Sequence, residues 1–189
     1  MDDTDIKTYL EHILKKYYKK KYLGIFTIES FNILDLRKRE KCSLTLFINN
    51  VSRSLGHWVV VININYKLYF IDSYGLSPVF YNKNIKNNYS KINYFLSSRL
   101  QSDSTTTCGS YAIFFIHLIS HCKYDILEFT DVFLKVFNFN NLIENDMYII
   151  KYVSKMYPHF NKRKCNKFFC NNKFLSNYKK CSKMMCKNV

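Results

Sequence analysis

The stretch WVVVINI at 58–64, followed after a short polar link by LYFI at 68–71, constrains the fold of this chain more than any other feature. Branched and aromatic residues fill both runs almost without interruption, at strand length rather than helix length. A strand that is apolar at nearly every position has two faces to hide, so other parts of the chain must cover both. The link Asn65-Tyr66-Lys67 predicts an antiparallel hairpin. With 48% of its 189 residues hydrophobic, the chain has material for such a core, and wholesale disorder is excluded.

A further strand is expected at 43–48 (SLTLFI). Residues 4–22 read as an amphipathic helix, because Ile6, Leu10, Ile13, Leu14 and Tyr17 recur at helical spacing behind the capping candidates Asp2, Asp3 and Thr4. Its far end carries Lys15, Lys16, Lys19, Lys20 and Lys21, where cations suit the helix dipole. Residues 108–120 are apolar on nearly every face and predict a buried helix. Further helices are expected at 126–137 and at 145–157, the latter stopped by Pro158. Strands in the middle with helices around them give an α+β domain over 1–160, followed by a basic, Cys-rich, disordered tail over 161–189.

A net charge of +15 attracts polyanions, nucleic acid foremost, and predicts binding that weakens as salt rises. The first residues, Met1-Asp2-Asp3-Thr4-Asp5, are acidic where a secretory signal is basic, and the most apolar run, 112–119, is too short to span a bilayer and contains His117. A soluble intracellular monomer with no membrane contact is therefore expected. The seven Cys, an odd number, also argue against a fully paired secreted scaffold.

One constellation carries chemistry. Thiol catalysis needs a nucleophile, a base, a group that orients the base, and donors for an oxyanion. His57 opens the long apolar strand, and Asp72 follows the next one. A hairpin turning at Asn65-Tyr66 sets Asp72 opposite Val59, which makes His57 its diagonal neighbour on the same face. Cys108 stands where a polar stretch meets the apolar helix, so the positive end of the helix dipole favours its thiolate. The backbone N–H groups of Cys108 and Gly109 are candidate oxyanion donors, Gly109 leaves room for a substrate backbone, and Gln101 offers a side-chain amide. Singly, each residue has an ordinary explanation: a small buried thiol, a core imidazole, a turn-forming acid.

Together, His57-Trp58, Asp72, Gln101 and Cys108-Gly109 resemble the adenovirus-type cysteine endopeptidase (adenain) family, which is related to the SUMO- and ubiquitin-like-protein proteases. Tyr22-Leu23-Gly24, Phe47-Ile48-Asn49-Asn50, Leu68-Tyr69-Phe70-Ile71-Asp72-Ser73-Tyr74-Gly75, Phe114-Phe115-Ile116-His117 and Met156-Tyr157-Pro158-His159-Phe160 extend the likeness, in order, over roughly residues 20–160. The resemblance implies a central mixed β-sheet packed by helices, with the catalytic Cys at the N-terminus of a buried helix. It implies a His57-Asp72-Cys108 triad with Gln101 as oxyanion donor, and a narrow tunnel beside Trp58 that selects Gly. Implied substrates are viral capsid and core precursors, cut within the virion or the host interior (nucleus or viral factory), with no cofactor for the chemistry and DNA or a peptide as activator. The acid is Asp72, as in the SUMO-protease branch, where the adenoviral enzyme often has Glu. No Cys lies between Asp72 and Gln101, so the disulfide-linked activating peptide of the human adenoviral enzyme does not carry over. Two other functions fit the same residues: a SUMO- or ubiquitin-like-modifier protease, and a non-catalytic nucleic-acid-binding protein on a protease-like fold.

In the tail, Cys165, Cys170, Cys181 and Cys186 form two pairs at matching spacing, a candidate structural zinc site. The spacing within each pair is longer than zinc sites usually have, and a basic tail touching DNA is the preferred reading, with no metal expected. Cys42 and Cys122 read as core residues.

Overall fold

The computed structural model describes residues 3–14, 22–27, 41–48, 56–81, 92, 94–121 and 135–156. Five strands form one mixed sheet in the order β1 (Tyr22–Thr27), β2 (Lys41–Ile48), β3 (His57–Ile64), β4 (Lys67–Ile71) and β5 (Tyr94–Phe95). The outer pairs β1/β2 and β4/β5 are parallel, and the inner pairs β2/β3 and β3/β4 antiparallel. Helices α1 (Asp3–Thr8), α2 (Pro78–Tyr81), α3 (Cys108–His121) and α4 (Leu142–Met156) complete the α+β arrangement. Among the described residues, no helix is long and apolar enough to cross a membrane.

The expected hairpin is β3/β4. Its two-residue turn holds Asn65 at φ 50° and Tyr66 at φ 63°, the left-handed pair whose twist matches that of the flanking strands. All eight residues of β3 are buried, as a strand apolar throughout requires. Alternate residues Trp58, Val60, Ile62 and Ile64 share one core cluster with Ile113, Phe114 and Ile116 of α3. Each fully buried aliphatic or aromatic side chain there contributes about 1.5–3 kcal/mol relative to exposure.

Helix α4 lays Tyr148, Ile149, Tyr152 and Val153 against the same core. The Tyr152 ring meets Phe114 edge-on at 4.7 Å, and its hydroxyl bonds the buried His117 at 2.5 Å. The helix begins three residues before the expected start at 145, because Asn141 caps it: the Asn141 Oδ1 accepts the Glu144 N–H at 3.2 Å.

Two other expectations need correction. The N-terminal helix does not run on to residue 22: α1 widens into a π-helical segment at Tyr9–Leu14, and Tyr22 already belongs to β1. Tyr22 pairs Ser43 while Ile25 pairs Thr45, so β1 holds one extra residue there, and Gly24 at φ 119° takes the bend. The helix expected at 126–137 does not include Lys135, Val136 and Phe137, which form a turn and a bend. Phe137 instead inserts its ring against Tyr111 and Phe114. The remainder of that helix, the lysines at 15–21, Cys122 and the tail with its candidate zinc ligands lie outside the described residues, as does the side chain of Cys42.

Candidate active site

The hairpin register pairs Val60 with Ile71, so Asp72 follows one residue beyond the last pair, level with Val59. From there the Asp72 Oδ1 meets the His57 Nε2 at 2.7 Å, the diagonal contact that the sequence predicts. The carboxylate is fully buried and has four donors: His57 Nε2 and the Tyr74 N–H at Oδ1, the Leu76 N–H and the Tyr81 hydroxyl at Oδ2. The chain after β4 makes this possible by turning at once. The Gly75 N–H bonds the Asp72 carbonyl at 3.0 Å, with Gly75 at φ 72°. A Cβ on Gly75 would stand 2.8 Å from the Ser97 carbonyl oxygen, so only glycine fits.

Cys108 is the first residue of α3, and the Tyr111 N–H makes the first intrahelical bond back to the Thr107 carbonyl. The N–H groups of Cys108, Gly109 and Ser110 consequently have no helical carbonyl to bond, which is what an oxyanion site requires. Burial works against protonation of His57, but hydrogen bonds to Asp72 and Cys108, and their charges, outweigh it and push its pKa up to about 9. Because Nε2 is taken by Asp72, the ring's other nitrogen is the one left for the thiol. His57 and Asp72 are thus brought together, with Cys108 near enough to His57 to raise its pKa.

Gln101 joins the site through Ser73. The Ser73 carbonyl accepts the N–H groups of Leu100 and Gln101 at 2.8 and 2.9 Å, and the Ser73 hydroxyl donates to Gln101 Oε1 at 2.7 Å. The Gln101 amide is not open as expected: its Nε2 donates to the Thr105 carbonyl at 3.0 Å and to the Tyr74 hydroxyl at 3.3 Å. Gly109 also has a different reason to be glycine. A Cβ there would stand 2.0 Å from the Ile6 Cδ1, so its absence lets α1 pack on α3. Trp58 is 3% exposed and packs into the core, so it carries no argument about a substrate tunnel.

Three residues of the site escape a sequence reading. The rings of Tyr74 and Tyr81 lie roughly parallel to the His57 imidazole, at 4.9 and 5.6 Å between centroids. Burial, then the charge of Asp72 and the hydrogen bond to it, raise the Tyr81 hydroxyl well above its usual pKa, which keeps it a donor. With 16 Tyr in the chain, neither residue stands out by composition. The third is Asp146, 1% exposed on α4, which accepts from the Ser102 N–H at 3.0 Å and from the hydroxyls of Thr105 at 2.6 Å, Thr107 at 3.0 Å and Tyr111 at 3.1 Å. It grips the loop between Gln101 and Cys108. Burial pushes its carboxyl above the usual range, against those hydrogen bonds. A signal for it exists: Asp146, Ile149 and Val153 fall at i, i+3 and i+7, which sets an acid on the core stripe of a helix.

Among the described residues, no group of three or more His, Cys, Asp or Glu side chains is arranged to hold a metal ion. Compared with known proteins, the chain matches no family model and no curated protein.

Proposed function

We propose that this chain is a cysteine endopeptidase. The observation that carries the reading is His57, bonded to Asp72 at 2.7 Å, with its pKa raised by both Asp72 and Cys108. With its pKa raised to about 9, His57 can hold at neutral pH the proton that Cys108 gives up on attack. The Cys108 sulfur attacks the peptide carbonyl; a C–S bond forms and the carbonyl electron pair moves to oxygen, facing the N–H groups that open α3. The intermediate collapses, the C–N bond breaks, and His57 gives its proton to the leaving amine. His57, now neutral, takes a proton from water, which attacks the thioester and releases Cys108. Asp72 fixes the imidazole in the tautomer this sequence of steps needs and steadies its charge.

The resemblance supplies the substrate class: viral capsid and core precursors cut beside Gly, in the virion or the host interior. The net charge of +15 supports DNA as a partner, bound through the basic surface. Incubation of the purified chain with Gly-containing precursor peptides, and in parallel with SUMO and ubiquitin-like conjugates, tests both levels. Cleavage that disappears in Cys108→Ala is expected, with the precursor peptides preferred. If no substrate is cut, and iodoacetamide alkylates Cys108 no faster than the other thiols, the endopeptidase reading fails.

A further inference from the structure

Gln101 has no N–H to spare. The Thr105 carbonyl only accepts, so the Gln101 atom facing it at 3.0 Å is Nε2, and the Ser73 hydroxyl then donates to Oε1. The second N–H is aimed at the Tyr74 hydroxyl, 3.3 Å away. The Tyr74 ring lies over the His57 imidazole and under the Arg99 guanidinium, with centroid distances of 4.9 and 5.6 Å. Burial, and after it the charge on Cys108, raises the Tyr74 phenol above its ordinary pKa. A single hydroxyl is therefore held by Gln101, on a ring that lies over His57. Among the described residues it accepts from Gln101 and donates to no acceptor.

Resting on the endopeptidase reading, we infer that Tyr74 is a further catalytic residue. Its O–H, held by Gln101, donates to the oxyanion formed at Cys108, and Gln101 acts through it as a positioning residue. A hydroxyl that already accepts a hydrogen bond is polarised toward donating one. Being fixed before the charge develops, it needs no reorganisation when the carbonyl oxygen becomes negative. Burial keeps the proton in place.

Tyr74→Phe preserves the ring over His57 and removes only the hydroxyl. If the hydroxyl donates to the oxyanion, kcat on a Gly-containing precursor peptide falls roughly 10- to 100-fold with little change in KM. Inhibition by a peptide aldehyde, whose thiohemiacetal oxygen lies where the oxyanion forms, weakens by a similar factor. Alkylation of Cys108 by iodoacetamide forms no oxyanion and keeps its wild-type rate. If the hydroxyl merely occupies Gln101, its removal frees an amide N–H, and kcat stays the same or rises; that outcome overturns the proposal. Alkylation slowed along with kcat also overturns it, because it marks damage to the His57–Cys108 pair. Should Tyr74→Phe fail to fold, Gln101→Ala gives the second measurement. It leaves the Tyr74 hydroxyl in place, so aldehyde inhibition weakens by less than about 10-fold, whereas a loss of about 100-fold or more assigns the donor to Gln101 itself and sinks the idea. A wild-type chain that cuts no peptide overturns both readings; one that cuts, with Tyr74→Phe at least as fast, overturns only this one.

Discussion

Two buried carboxylates flank the site, and they solve the same problem by different routes. Asp72 and Asp146 are 0% and 1% exposed, and each gathers four donors. Asp72 draws three of them from the residues just after it, at separations of 2, 4 and 9, and the fourth from His57 across a hairpin, at 15. Every donor to Asp146 is between 35 and 44 residues away. The first is a local device that orients the His57 imidazole. The second is a tertiary clamp that fixes the loop leading to Cys108. The difference also lies in the donors: Asp72 has a backbone N–H at each oxygen, whereas at Asp146 the only backbone donor among the described residues is Ser102, at Oδ2. Hydroxyls can turn to accept; a backbone N–H cannot.

That asymmetry predicts opposite tolerance to the same substitution. In Asp72→Asn the new amide nitrogen must face either the Tyr74 or the Leu76 N–H, so one backbone donor is left opposing another. The substitution also takes away the charge that holds the His57 proton. We expect kcat/KM on peptide to fall about 10²- to 10⁴-fold, as when the orienting acid of a catalytic triad is neutralised. The pH profile provides a separate reading. A His57 pKa raised from 6.5 to about 9 means that the stability gained from its protonated form is complete below the unfolded value and is lost as pH rises through about 9. On the proposed mechanism the alkaline limb of activity falls in the same range, since the amine leaves with the imidazolium proton. In Asp72→Asn burial dominates and the limb moves toward acid. A limb that stays near pH 9 in the variant would show that Asp72 does not set the charge of His57.

Asp146→Asn should be far milder. Its amide nitrogen can turn toward Oδ1's partners, the Thr107 and Tyr111 hydroxyls, leaving an oxygen for Ser102 and Thr105; Tyr111 then donates wholly to the Leu100 carbonyl, 2.9 Å away. A loss of kcat below about 10-fold is expected, with the fold retained. Asp146→Ala removes the acceptor altogether and strands buried donors, at a cost of about 3 kcal/mol in urea unfolding. Should Asn prove as damaging as Ala, the hydroxyls are not free to turn, and the contrast with Asp72 disappears.

Legibility followed sequence distance. The hairpin, its turn and the His57–Asp72 contact could all be read because strand period and a two-residue turn fix the register. Cys108 was legible because a polar-to-apolar switch marks a helix start. The parallel pairing of β1 with β2 and of β4 with β5 leaves no such local mark, since parallel neighbours depend on how intervening chain crosses over. The same limit applies to side chains. Gln101 was recognisable as an amide near the nucleophile, but not its engagement by Thr105 and Tyr74, which depends on how Ser73 docks against residues 100 and 101. Lys135, Val136 and Phe137 read as helix because an apolar pattern does not reveal that the Phe137 ring will be drawn into the core from a bend.

Gly109 provides the smallest test and extends the comparison to packing. Beside Cys108, a glycine invites a substrate explanation, yet the space where its Cβ would lie is filled by Ile6, a residue from the other end of the described chain. In Gly109→Ala the added methyl meets not only the tip of Ile6 at 2.0 Å but also Cγ1 and Cγ2 at 2.8 and 2.9 Å, so rotation of the tip alone does not relieve it. Overpacking of this kind destabilises by about 1–3 kcal/mol, offset in part by the better helix propensity of Ala. Pairing it with Ile6→Ala distinguishes the two explanations. If Ile6 is the cause, the two stability losses are less than additive, the double variant being more stable than their sum allows, and peptide cleavage returns. If the methyl instead blocks substrate, Ile6→Ala restores nothing, KM stays raised, and the glycine belongs to the site after all.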